Sequence, residues 1–304
     1  MALLPSDLSG DSLKDSIVVL LDDVAPSLRT VFGEQLPIAD VSFTFDNRAQ
    51  CVCQVDVEHK RVSLSRSFLF CLWIATVTLV ETYRSSQQSV AEGKDSLALS
   101  QTSNKTTFLL ATVLVRCVES WSQDPLAAYI SLSTDIAARG IVFRLQELES
   151  DPVLDSVFYS ALAWMLLHEL GHIRHGHANT PQPPEMKATE EADADDFASH
   201  VLMNADSKAV SGQGAIVATF LLALKAYLHR EELRGEYPHP LRRLLASIAE
   251  AELPEDGAAH SLARLSIELL NGFRGIPGSG EETGGATFAD LAVTAALKTI
   301  RSDG

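Results

Sequence analysis

Val157-Phe158-Tyr159-Ser160-Ala161-Leu162-Ala163-Trp164-Met165-Leu166-Leu167-His168-Glu169-Leu170-Gly171-His172 is the stretch on which the fold turns. As far as Leu167 it is apolar almost all round, the pattern of a helix buried in a core and not of one lying on a surface. Its polar residues gather at the end. His168 and His172 stand at i and i+4, on one helix face with Cβ atoms about 5 to 6 Å apart, so both imidazoles can grip one ion from the same side. Glu169 lies beside them, and a carboxylate there can take a proton from a water whose pKa zinc lowers from about 16 to about 7. The spacing predicts metal-assisted hydrolysis. The competing reading, histidines that are simply hydrogen-bonded in a core, must find partners for three polar groups, because burying them unpaired is costly.

A catalytic zinc site takes three protein ligands and leaves a position open. The third donor is offered by Glu190-Glu191-Ala192-Asp193-Ala194-Asp195-Asp196-Phe197-Ala198. Gly176 can end the motif helix, and Pro181, Pro183 and Pro184 hold the connection open so that a second helix returns alongside the first. Thr189 serves as its cap, unless Met186 to Ala188 are already helical. On that helix Glu191 and Asp195 also stand four apart and face the same way. Glu191 would complete a set of two histidines and one carboxylate. Asp195 would accept the outer ring N–H of a liganding histidine, a bond that fixes the tautomer. The six carboxylates between Glu185 and Asp196 are also the ordinary pattern of a solvated face. Glu190 is one residue out of phase, however, and Asp193 and Asp196 fall on other faces. A third histidine six residues beyond the second, as metzincins use, is excluded because Ala178 stands there.

The arrangement resembles the gluzincin metallopeptidases, whose His-Glu-x-x-His is followed by a helix carrying Glu-x-x-Ala-Asp-x-(aromatic or aliphatic)-Ala. Glu191, Ala194, Asp195, Phe197 and Ala198 match position by position, and the resemblance covers about residues 155 to 205. It implies a zincin-like core with an active-site helix, a glutamate helix and a small antiparallel sheet. It also draws in Glu236-Tyr237-Pro238-His239-Pro240-Leu241-Arg242-Arg243, since such peptidases often carry a His-Pro pair followed by arginine. His239 would then donate to the charge that builds on a carbonyl oxygen under attack, a contribution of roughly 2.7 to 4 kcal/mol. A turn histidine between two prolines accounts for the same residue equally well. Arg242 or Arg243 could instead pair with the acidic helix. His175 and His177, near the end of the motif helix, suit the negative end of its dipole and are secondary candidates.

Length, strand-first layout and the lead Ala163-Trp164-Met165-Leu166-Leu167-His168-Glu169 are also similar to the Lit-type phage-exclusion peptidases. Those enzymes cleave a host translation factor when a phage component triggers them. The similarity implies a conditional protease in antiviral defence, with an activating protein or peptide.

The remainder of the 304-residue chain bounds the answer. Strands are expected at Val41 to Phe45, Cys51 to Val57 and Arg61 to Leu64, with turns at Asp46-Asn47 and His59-Lys60, as an antiparallel meander whose edge could accept an extended peptide. Helices are expected at Asp11 to Phe32, 107–120, 135–149, 208–231, 240–252, 260–273 and 286–301. Ser85 to Lys105 and Gly275 to Gly285 read as loops. The fold class is therefore α+β and mostly helical. Residues 1–125 would form helices and the small sheet packed on a catalytic core of 126–304, all in one unit.

A net charge of −16 argues against a general nucleic-acid binder, which needs clustered lysine and arginine. Cys51, Cys53, Cys71 and Cys117 lack Cys-x-x-Cys spacing and read as reduced thiols. Met1 to Asp15 has no secretory pattern, so a cytoplasmic setting is expected. The apolar runs Phe68 to Val80 and Ala215 to Leu224 fall short of the about 20 residues a bilayer span needs, so no membrane span is expected. Together these readings predict a zinc endopeptidase with one catalytic ion acting on a protein or peptide. The alternatives are a non-hydrolytic, zinc-stabilised regulator or scaffold, and a metal-dependent hydrolase acting on something other than peptide.

Overall fold

The computed structural model describes residues 19–20, 40–46, 48–91, 105–138, 151–177, 182–203, 208–229, 243, 246 and 258–274. Within them run strands β1 (Ser42–Asp46), β2 (Cys53–Asp56) and β3 (Arg61–Ser65). Helices α1 (Arg66–Ala91), α2 (Lys105–Glu119), α3 (Pro125–Ala138), α4 (Pro152–His175), α5 (Pro184–Met203), α6 (Lys208–Leu228) and α7 (Ala258–Arg274) follow. A mostly helical α+β fold is thus observed. The expected helices at Asp11–Phe32 and 286–301, and the glycine-rich run Gly275–Gly285, lie outside the described residues apart from Val19 and Leu20. Of 240–252 only 243 and 246 are described.

The sheet corrects one expectation. All three strands form, but their order is β1-β3-β2, with β1 parallel to β3 and β2 antiparallel to it, so the sheet is mixed and not an antiparallel meander. Alternation of apolar residues fixes which face of a strand is buried, here with Phe43, Val62 and Leu64 inward, but not which strand it pairs with. The pairing is decided by the segment after β1. Cys51 donates its N–H to Trp121 O at 2.9 Å, and Val52 and Ser65 pair next to β2, which puts β2 on the far side of β3. β2 is left as the edge nearest α4.

Ser65 ends the sheet and starts the helices, since its hydroxyl accepts the N–H of Phe68 at 3.1 Å, in the manner of a helix cap. α1 carries Phe68 to Val80 into the core and continues to Ala91. The loop expected from Ser85 is therefore helical over its first residues: Ser85 and Ser86 are buried, and neither glycine nor proline interrupts the chain before Gly93. α3 begins ten residues ahead of the expected 135, because Asp124 accepts the N–H of Ala127 at 2.9 Å with Pro125 next to it.

α4 is the centre. Asp151 caps it by accepting the N–H groups of Val153 and Leu154, Pro152 opens it, and Gly176 closes it in a left-handed conformation at φ 66°. α5 and α6 pack densely on it, α1 and β2 also reach it, and Trp164 is fully enclosed. α5 starts at Pro184 and not at Thr189, whose hydroxyl instead returns to Glu185 O at 3.1 Å. Among the described residues, two helices have the length and composition to cross a membrane, Pro152–His175 and Val210–Leu228. Their apolar windows are 78% and 72% buried inside the fold, as for core helices.

Candidate metal centre

α4 presents His168 and His172 from successive turns, and their Nε2 atoms stand 3.2 Å apart with the rings edge to face. Glu191 reaches across from α5, with Oε2 3.5 Å from His168 Nε2 and Oε1 3.9 Å from His172 Nε2. One donor atom from each of the three lies within 4.8 Å of the others. Ligands about 2.0 to 2.2 Å from a tetrahedral ion are about 3.3 to 3.6 Å from one another, so the spacing fits such a site, and two imidazoles with a carboxylate are a zinc-type donor set. These residues could hold a metal ion.

The convergence depends on how closely the two helices approach. A Cβ built on Gly171 would lie 3.0 Å from Ala194 Cα and 3.2 Å from the Phe197 ring, so glycine in one helix and alanine in the other set the separation. Glu191 and Asp195, on either side of Ala194 along α5, are thereby carried to the histidines. Trp164, one turn before His168, stacks on its ring at 5.6 Å and 18°, and is itself held by a 3.1 Å bond from Nε1 to Ser199 Oγ on α5. A large apolar side chain thus sets the plane of a polar one.

Asp195 Oδ1 lies 2.9 Å from His168 Nδ1, although the ring N–H points off the straight line between them. Arg243 holds the same carboxylate with two bonds, Nε to Oδ2 at 2.7 Å and Nη2 to Oδ1 at 2.6 Å, while Nη2 also stands 3.7 Å from Glu191. Of the two arginines considered as partners for the acidic helix, Arg243 is seen there; Arg242 and His239 lie outside the described residues. Glu190 is not part of the donor group, and Asp193 and Asp196 are exposed.

Burial works on every one of these groups: it prevails at His172 and Glu169, and is outweighed by charged partners and hydrogen bonds at His168 and Glu191. For His168 burial favours the neutral ring, but Asp195 and then Glu191 outweigh it and lift the pKa to about 10. His172 goes the other way, pushed down to about 4 by burial and by its neighbour His168. Glu191 is held down to about 2 against its burial by His168 and Arg243, so it stays a carboxylate. The pocket therefore favours one positive charge between His168 and the acids, which a divalent ion can supply. Glu169, 6% exposed, is pushed up to about 7 by burial first, with Glu191 adding to the rise and His168 opposing it. A carboxyl poised there can both take and return a proton near neutrality.

Cys53 of β2 was not anticipated from the sequence. Part of the residue reaches the surface, but its thiol is enclosed beside Glu169; that enclosure, then the charge of Glu169 and a hydrogen bond to it, pushes the thiol well up. No spacing rule links a strand residue to a helix more than a hundred positions away. His175 is exposed and outside the donor group, whereas His177 is buried against His172.

In this helical α+β protein two histidines of a core helix and a carboxylate of its neighbour come to one focus that could hold a metal ion. The family Peptidase U49 matches residues 62–263, from β3 into α7, and the chain belongs to this peptidase family. Membership supports a proteolytic function in general. No curated protein and no solved structure is matched.

Proposed function

We propose that the protein is a zinc-dependent endopeptidase of the gluzincin kind. The observation that carries this reading is the common focus of His168, His172 and Glu191 inside a chain that belongs to a peptidase family. In this proposal the three side chains hold one zinc ion, which when bound supplies a Lewis acid that makes water a nucleophile near neutral pH. Glu169 takes the proton of the attacking water and delivers it to the leaving amine. Asp195 steadies His168, and Arg243 steadies Asp195. His239 as donor to the carbonyl oxygen remains part of the proposal on the ground of the sequence resemblance.

The substrate would be a protein segment in extended form. β2 is an edge strand next to α4 and carries Cys53 against Glu169, which supports a peptide lying along that edge. Activity on demand, in the manner of phage-exclusion peptidases and with an activating protein or peptide as its trigger, remains part of the proposal on the ground of the sequence resemblance. The four free thiols support a reducing, cytoplasmic setting.

The test compares newly created protein N-termini in cells expressing the wild type and Glu169→Gln, with and without a phage challenge. A discrete set of new termini present only with the wild type is expected. Identical termini in both strains under every condition would overturn the proposal and favour a non-hydrolytic role.

A further inference from the structure

The end of α4 is built as a Schellman turn. Gly176 N–H donates to Ile173 O at 3.2 Å, and the next residue, His177, donates its N–H to His172 O at 3.0 Å. In such turns the residue two past the helix end usually makes an apolar contact with the residue five positions before it. Here those two positions are His177 and His172, and the contact is polar. Their Nδ1 atoms are 2.8 Å apart, with the rings at 4.9 Å and 72°. His172 directs Nε2 toward His168 and Glu191, so Nδ1 is the nitrogen left over.

We infer that His177 is the positioning residue for His172: its bare Nδ1 accepts the Nδ1–H of His172 and so leaves the His172 Nε2 lone pair free for the ion. This rests on the metal-site reading above. A histidine that ligates through one nitrogen needs an acceptor for the proton on the other, and without one it can turn or present the wrong tautomer. His168 has Asp195 for this purpose. His172 has no carboxylate at that distance among the described residues; it has His177. The proton of His177 then sits on Nε2, the nitrogen that faces the carboxylate of Asp193 at 3.9 Å. The ring is held in place, being 9% exposed and stacked on His175 at 5.4 Å and 16°. The backbone turn that ends the helix thus also supplies the ligand's partner, and no other element has to deliver it.

The experiment measures zinc dissociation constants by competition with a chromophoric chelator for the wild type, His177→Phe and His177→Gln, alongside thermal melting of each metal-free protein. Phenylalanine keeps the bulk of the ring but accepts no hydrogen bond, whereas the glutamine amide oxygen can accept one. The expected result is zinc binding weaker by about 10- to 100-fold in His177→Phe and within about 3-fold of wild type in His177→Gln, with metal-free melting little changed. The visible bands of the cobalt-loaded protein should shift in the phenylalanine variant and not in the glutamine one. Zinc binding by His177→Phe as tight as wild type would overturn this inference alone. So would equal losses in both variants together with lowered metal-free melting, which mark a purely structural histidine. A wild type that binds no zinc would overturn the metal reading along with it. Should His177→Phe fail to fold, nitrogen NMR of the zinc-loaded wild type decides. A protonated Nδ1 on His172 facing a bare Nδ1 on His177 is expected, and the reverse assignment overturns the proposal.

Discussion

Arg243 shows how far a single side chain reaches. Its guanidinium is buried and binds both oxygens of Asp195, which in turn faces His168. Removing one partner of such a pair leaves the other charge buried and unpaired, so Arg243→Ala should cost about 3 to 5 kcal/mol in urea unfolding. It should also weaken zinc binding by about 10- to 100-fold through the loosened His168. Arg243→Lys keeps the charge but not the two-pronged geometry, and should fall between the two in both measurements. Unchanged urea midpoints for Arg243→Ala would count against a structural role for the pair. At this scale the sequence was informative where residues share a helix. His168 with His172, and Glu191 with Asp195, are read from the four-residue spacing alone. Arg243 stands out in the sequence only as one of two arginines, and Cys53 only as an ordinary reduced thiol of a strand, because tertiary packing brings them in from other elements and leaves no periodic trace.

Elements place those side chains, and caps and close approaches place the elements. Gly171 lies against Ala194, so a larger residue there must push α5 away from α4. Gly171→Val should destabilise the fold by about 1 to 3 kcal/mol and reduce zinc affinity in the same protein, because Glu191 moves with α5. A variant that loses stability but binds zinc as before would show that Glu191 does not depend on this contact. At the other end of α4, Asp151 caps the helix and pairs with Arg84 of α1, which also bonds Glu81. Asp151→Ala should cost about 0.5 to 2 kcal/mol, measured by thermal or urea unfolding.

The pH dependence of that loss has a definite sign. The Arg84 hydrogen bond holds the Asp151 carboxyl below its ordinary 3.8 against the opposing effect of burial. A lowered pKa in the fold means a contribution that is whole above 3.8 and lost as pH falls through the lower folded value. The gap between wild type and Asp151→Asn, which keeps a capping oxygen but not the charge, should therefore narrow on acidification below that point. A gap constant across this range would exclude the ion pair as its source. Helix identity was legible for α4, α5 and α6 from apolar pattern and punctuation. The start of α3 ten residues before the expected 135 has its signal in Asp124-Pro125, a capping pair, whereas the start of α5 is ambiguous in sequence because Pro184 suits a connection as well as a first helical turn. Sheet order was not legible, since strand partners depend on where a short segment such as Cys51-Val52 is anchored.

For the molecule as a whole, the site joins elements that are far apart in sequence: α4 and α5 with β2 at one side and Arg243 from beyond α6. An ion held by α4 and α5 together binds the folded state and not the unfolded chain. Zinc at about 100 times its dissociation constant should therefore add about 2.7 kcal/mol, and a chelator should lower the melting temperature by a corresponding amount. A melting curve indifferent to chelator and to added zinc would contradict a site shared between the helices. A net charge of −16 is in keeping with this, because it attracts divalent cations.

Whether His168, His172 and Glu191 together hold one ion is decided by zinc stoichiometry, from equilibrium dialysis of the wild type and of His168→Ala, His172→Ala, Glu191→Ala and Glu169→Gln. One tightly held ion per chain is predicted for the wild type and for Glu169→Gln, with tight binding lost in each of the other three. A wild type that retains no zinc, or alanine variants that retain it as the wild type does, would contradict a zinc site built from these three residues.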